Sequence, residues 1–245
     1  MIASLGMYIR PETAAATGRF WAEIRDRLRE TGIDAPEELS QDAVFWEAWQ
    51  APDLILSQTC GRPYRLKLHD NVQLVGTPDY GMQGCSPGYY NSPVVVRAGD
   101  ARTELSEFKN SVFAYNEKLS QSGWAAPQNH AAKLGFQFQN IWQSGGHLAS
   151  AKAVAHGQAD IAALDGMTWR LIQCYEPWAG NLQVLEWTEP TPGLPYITGQ
   201  AQDADAVFDA VSGAIAGLST ADRDVLSIKS LVRIPPEDYL AVPNP

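Results

Sequence analysis

The stretch Ser111-Val112-Phe113-Ala114-Tyr115-Asn116-Glu117-Lys118-Leu119-Ser120-Gln121-Ser122-Gly123 decides the fold. Its first five residues are a short apolar run of the kind that makes a buried strand, and the polar remainder breaks that run and leads into a helix predicted to begin near Trp124. Ser120 or Ser122 can cap the helix. The other hydroxyl and the first N–H groups, which have no intrahelical partner, are then left to face an anion. Pro127 fits the first turn, where a missing N–H costs nothing. A plainly capped helix with solvated serines would use the same residues, so the segment alone leaves both roles open.

A second cluster of the same kind follows at Ser144-Gly145-Gly146-His147, again glycines and a hydroxyl at a helix start, now with an imidazole. His147 can donate to an oxyanion or merely cap its helix. The strand expected over 160–165 ends in Asp165, whose carboxylate can receive an amine or hydroxyl, or cap the helix that starts near Met167. Earlier in the chain, strands expected over 53–57 and 72–76 break at Gln58-Thr59-Cys60-Gly61 and Thr77-Pro78-Asp79-Tyr80. These breaks put polar groups at the carboxyl ends of strands, where open α/β sheets bind ligands. Tyr8, Tyr80, Tyr89, Tyr90 and Trp124 flank the polar turns as flat walls.

Short apolar runs alternate with helical periodicity along the whole chain, which predicts an α/β fold with mostly parallel sheets flanked by helices. A first strand over 2–9 leads to Pro11 and a helix with Phe20, Trp21, Ile24 and Leu28 on one face, closed by Gly32. A second helical patch holds Val44, Phe45 and Trp49. The strand over 92–97 carries the chain into a second set of elements, including an alternating run over 136–142. The Pro-rich 191–198 segment returns it to helices over 203–218 and 221–230. Two crossings imply a discontinuous first lobe, 1–96 plus 190–245, a second lobe, 97–189, and a hinge.

Composition excludes several function classes. A formal charge of −10 with no basic run leaves nothing to neutralise nucleic-acid phosphates or an anionic membrane. No apolar run approaches the roughly 20 residues of a membrane span, so membrane insertion is not expected. With no visible signal peptide the chain as written reads as cytoplasmic, and as periplasmic if its start has been trimmed. The three cysteines are too few for a disulfide scaffold; Cys60 and Cys85, both in Gly-rich loops, stay open as a pair or as free thiols. His69, His130, His147 and His156 show no metal-ligand spacing, and no cofactor fingerprint is present. Gly84-Cys85-Ser86-Pro87-Gly88 matches the pattern of a serine nucleophile elbow, but Pro87 has no N–H to give the oxyanion hole. No catalytic residue is therefore assigned, and the balance is against an enzyme.

In order and spacing, Gly6-Met7-Tyr8, 53–61, 75–80, Tyr90-Asn91-Ser92-Pro93, 116–123 and Gly146-His147 through Asp165 resemble the phosphate/phosphonate-type ABC transporter substrate-binding proteins, in a divergent branch without a visible signal peptide. The resemblance spans nearly the whole chain. It implies a two-lobe type 2 periplasmic-binding-protein fold with a ligand cleft between the lobes, and an ABC transporter permease as partner. It also implies that Tyr90, Ser120, Ser122 and His147 surround an oxyanion and that Asp165 meets an amine. The full expected ligand set is Tyr8, Gln58, Tyr90, Asn116, Ser120, Ser122, His147 and Asp165, holding a small anion such as phosphate or a phosphonate. An enzyme or a cytoplasmic metabolite sensor on the same fold, acting on a heterocyclic or phosphorylated small molecule, is the alternative.

Overall fold

In the computed structural model, which describes residues 1–40 and 44–245, the first long helix runs over Pro11–Glu30. Pro sits in its first turn, where its ring is pre-set for helical φ, and the Arg10 N–H donates to Thr13 Oγ1 at 2.9 Å. Phe20, Trp21, Ile24 and Leu28 recur at three- and four-residue steps, so they share one buried face. Gly32 follows the helix end at φ +84°, a conformation that suits a residue without a side chain.

That helix belongs to the first of two units, Met1–Tyr89 with Pro192–Leu240. Its five-stranded sheet runs in the order Ile2–Ser4, Leu54–Gln58, Tyr196–Gly199, Val72–Asp79, Ser230–Val232. The first two strands are parallel, and the two from the returning chain are antiparallel to their neighbours. The first helix packs with Ala204–Gly217 in one core cluster, through Phe20, Trp21 and Ile24 against Val207, Val211 and Ala214. Trp49, Leu54, Tyr64, Leu68 and Tyr239 build another.

The second unit comprises Tyr90–Thr191 and Ala241–Pro245. Its sheet order is Ile141–Gln143, Phe113–Tyr115, Ile161–Ala163, Pro93–Arg97, Leu182–Trp187. The first three strands are mutually parallel, whereas Pro93–Arg97 is antiparallel to both of its neighbours. Both faces are covered. Val95, Ala114 and Ala162 join Val154, Trp169 and Ile172 in one cluster, while Val94, Val96, Phe113 and Ile161 join Leu105, Phe108 and Phe138 in another. Alternating residues of a strand point to opposite faces, so near-continuous apolar runs are what a doubly covered sheet requires.

Several elements differ from the sequence expectation. The first strand stops at Ser4 because the chain coils into a tight turn over Gly6–Tyr8. The strand expected to close the first lobe, Pro93–Arg97, lies inside the second unit, held there by ladders to two strands. The C-terminal Ala241–Pro245 also groups with the second unit, where Asn129 Nδ2 donates to Pro243 O at 2.8 Å. Leu182–Trp187 is a strand that periodicity did not single out.

Candidate functional site

Register places the chemistry of the second unit. Phe113 pairs with both Ile141 and Ile161, and Tyr115 pairs with Gln143, so three parallel strands end at one sheet edge. The residues that follow them, Asn116, Ser144 and Asp165, leave from that edge together. Backbone bonds fasten the first two exits: Ser144 N donates to Tyr115 O at 2.8 Å and Gly145 N to Asn116 O at 3.1 Å.

From Asn116 the chain turns, with Ser120 N donating to Glu117 O, and enters a helix that opens earlier than periodicity predicts. Gln121–Ala125 forms one wide π-helical turn, closed by Ala125 N donating to Ser120 O at 3.1 Å, before regular helix over Ala126–Lys133. Such turns are concentrated at functional sites. Of the two serines offered as caps, Ser120 is the one used, its Oγ accepting from Gly123 N at 2.9 Å.

Ser122 is consequently free for another partner, and its Oγ lies 3.0 Å from His147 Nε2. His147 begins the helix His147–Ala155, after Gly146 at the cap position. Burial pushes its imidazole below the ordinary value; the nearby Asp165 charge and the Ala163 carbonyl oppose this. Part of the residue's surface stays open although the ring is surrounded. Asp165, 2% exposed, caps the helix Gly166–Tyr175 by accepting from Thr168 N at 2.8 Å.

Gly123 binds this cluster together by having no side chain. A Cβ there would overlap Asn116 Oδ1 and stand 3.0 Å from His147 Cε1. Asn116, Ser120, Ser122, Gly123 and His147 thus converge on one spot, and the Asp165 carboxylate is near enough for its charge to act on the imidazole. Gly123 is not among the residues expected from the sequence to bind a ligand, because only the closeness of two distant side chains reveals its role.

The first unit has its own cluster at the carboxyl ends of its strands. Tyr8 meets Tyr80 edge-on, with ring centroids 5.2 Å apart. Gln58, 4% exposed, donates to Tyr80 Oη at 3.2 Å and to Leu194 O at 3.1 Å. Both amide hydrogens are thereby engaged, so Gln58 orients Tyr80. Burial and the Tyr80 hydroxyl push the Tyr196 phenol well above its usual value. Tyr90, the first residue of the second unit, is buried.

Cys60, Cys85 and Cys174 form no disulfide among the described residues, and burial pushes the Cys85 thiol up, away from a reactive thiolate. Among the described residues no group of His, Cys, Asp and Glu is arranged to hold a metal ion, and no helix is long and apolar enough to cross a membrane.

The sequence matches, over residues 19–239, the family described as ABC transporter, phosphonate, periplasmic substrate-binding protein. No curated protein matches it. Among solved structures it is similar to PhnD1 from Prochlorococcus marinus in complex with methylphosphonate, with a TM-score of 0.71 and 15% identity over 96% of this chain and 93% of that one. The binding-protein component of an ABC phosphonate transporter from Pseudomonas aeruginosa gives 0.66 and 17%, covering 97% and 82%. A Xanthomonas citri protein bound to ATP gives 0.68 and 15%, covering 97% and 92%. At such identities these likenesses establish the shared fold.

Proposed function

The chain belongs to the phosphonate-type periplasmic substrate-binding proteins of ABC transporters, and from that membership we propose that Ser120, Ser122, Gly123 and His147 hold the oxyanion of a small phosphonate, phosphate or related ester. The supporting observation is the convergence of the Ser122–His147 pair and the Ser120-capped turn on Gly123, whose missing side chain leaves the space open. Hydroxyls, a helix start and an imidazole are the donors such an anion needs, and in a chain of charge −10 they act as local dipoles. Asn116 and Asp165 shape the same spot, and Tyr8, Gln58 and Tyr90 are carried as further ligand contacts. PhnD1 from Prochlorococcus marinus, which shares the fold, holds methylphosphonate. We place the working chain in the periplasm with an ABC transporter permease as its partner, as the family description implies.

A thermal-shift panel of phosphate, methylphosphonate, methanesulfonate and a pyrimidine tests ligand class. Stabilisation grows as the logarithm of ligand concentration over Kd, about 2.7 kcal/mol at a hundredfold excess. Methylphosphonate or phosphate is expected to raise Tm and the pyrimidine to leave it unchanged. The Ser120→Ala/Ser122→Ala double variant is expected to fold and lose the shift. If the double variant responds as the parent does, the serines are not the oxyanion site.

A further inference from the structure

The strand Val72–Asp79 is paired unequally on its two sides. On one side Tyr196–Gly199 covers it from Val72 to Gly76. On the other, Ser230–Val232 pairs only with Thr77, Pro78 and Asp79. The sequence gives the reason: after Val232 the chain reads Arg233-Ile234-Pro235-Pro236, and a proline has no N–H to give a ladder. The chain therefore leaves the sheet, and no strand lies beside that edge of residues 72–76 among the described residues. The edge and the departing chain bound a cavity of about 350 Å³, lined by residues 74–77 and 233–236. This is the size of a small-ligand pocket.

Three kinds of group line it. The strand edge offers backbone N–H and C=O groups in extended array, the template on which another strand adds. Leu74, Ile234, Pro235 and Pro236 are apolar walls. Arg233 supplies a held cation. Its guanidinium lies 3.9 Å from the Phe208 ring centroid, and Asp205, three residues before Phe208 on the helix Ala204–Gly217, has Oδ1 2.7 Å from Nη2. Phe208 can sit there because of Gly76, where a Cβ would stand 3.0 Å from the Phe208 ring and 2.8 Å from Leu231 Cγ. Of the guanidinium's five N–H donors, stacking spends none and one Asp205 oxygen spends one, and Arg233 has no other partner among the described residues. The Asp205 side chain is 81% exposed, so water screens it and leaves the cation open to a second carboxylate.

The groove is closed where Val232 pairs with Thr77, and it runs from there along the edge toward Leu74. A chain cannot pass through a closed end, so an extended occupant must terminate there, and Arg233, the next residue after Val232, calls for a carboxylate at that terminus. We infer that this cavity binds the C-terminal residues of an extended apolar peptide, added as a short strand parallel to Val72–Gly76 with its terminal carboxylate on Arg233. At about 3.3 Å per residue the lined edge takes roughly three residues. The site lies within the first unit and does not depend on the oxyanion site proposed above.

Fluorescence anisotropy measures this with an N-terminally dye-labelled pentapeptide ending in three valines, presented as the free acid and as the C-terminal amide. The acid is expected to bind with a Kd below about 1 mM and the amide at least about tenfold more weakly, the loss that charge-assisted hydrogen bonds carry. Methylating the backbone nitrogen of the middle valine removes a ladder donor and should also weaken the acid. Arg233→Gln, a change at the surface, should leave the protein folded and abolish the preference for the acid. Arg233→Lys, a point charge without the planar fork, should keep part of it. No binding of the acid at about 1 mM, equal binding of acid and amide, or an acid preference that survives Arg233→Gln overturns the inference. Displacement of the peptide by isovalerate at equal concentration would mean a pocket for small carboxylates and would overturn the strand-addition reading.

Discussion

Gly123 carries more of the candidate site than any residue with a side chain. Adding one methyl group there drives a carbon into Asn116 Oδ1 and presses on the His147 ring. The φ is not in the left-handed region, so the constraint is the close approach alone. Gly123→Ala is therefore expected to displace Asn116 or His147 and to cost about 1–3 kcal/mol, the usual range for overpacking. It should also remove the ligand-induced Tm shift. Chemical denaturation and thermal shift check both, and a Gly123→Ala protein with parental stability and ligand response would show that the cluster can yield. Gly84, in the Gly84–Gly88 segment, has open space around its missing side chain, but its φ of +75° ties any substitution there to backbone strain alone. The two glycines look alike in sequence. What separates them is which distant atoms fold back upon them, and no local pattern carries that information.

Elements were legible where one force set them. The helix Pro11–Glu30 has both its cap signals and its apolar face in sequence, and the buried strands Leu54–Gln58 and Ile161–Ala163 read as apolar runs. The alternating 136–142 run is a strand only from Ile141, because before that a side chain takes the place of a neighbouring strand. Phe138 N donates to Gln128 Oε1 and Gln128 Nε2 donates to Phe138 O, both at 2.9 Å, so one carboxamide closes the ring that a ladder would have closed. Phe138 stacks on Phe113 at 4.4 Å, and strand pairing resumes only at Ile141–Gln143. Gln128, 2% exposed, thus anchors the loop that leads to Ser144 and His147. Gln128→Leu leaves a buried N–H and C=O unpaired and is expected to cost about 2–5 kcal/mol at roughly 1–3 per group. Denaturant unfolding measures it, with Gln128→Glu as the variant that keeps one acceptor. A Gln128→Leu protein within about 0.5 kcal/mol of the parent, the range of a neutral surface change, would show that the loop finds other partners.

At the scale of the whole molecule, α/β class and a chain that leaves and re-enters its first unit follow from the order of apolar runs and the Pro-rich segment near residue 191. The crossing points do not. The chain changes unit after Tyr89, because the valines of Pro93–Arg97 find ladder partners on both sides in the second unit, which composition cannot foretell. Net charge is fully legible and sets how an anion arrives. A molecule of charge −10 repels a phosphonate at long range, while the proposed contacts, being dipoles at hydrogen-bond distance, are screened very little. Salt should consequently act on the encounter and hardly on the bound state. Stopped-flow tryptophan fluorescence, with Trp124 packed on Tyr115 at 4.7 Å beside the site, can follow it. Between about 0.02 and 0.3 M sodium chloride, where the Debye length falls from about 20 Å to about 6 Å, the association rate should rise severalfold. The dissociation rate should change by less than about twofold, so affinity improves with salt nearly as much as the association rate does. A site resting on a cluster of lysines or arginines would do the opposite, losing affinity as salt increases. Such a loss would mean that cations outside the Ser122–His147 cluster hold the ligand.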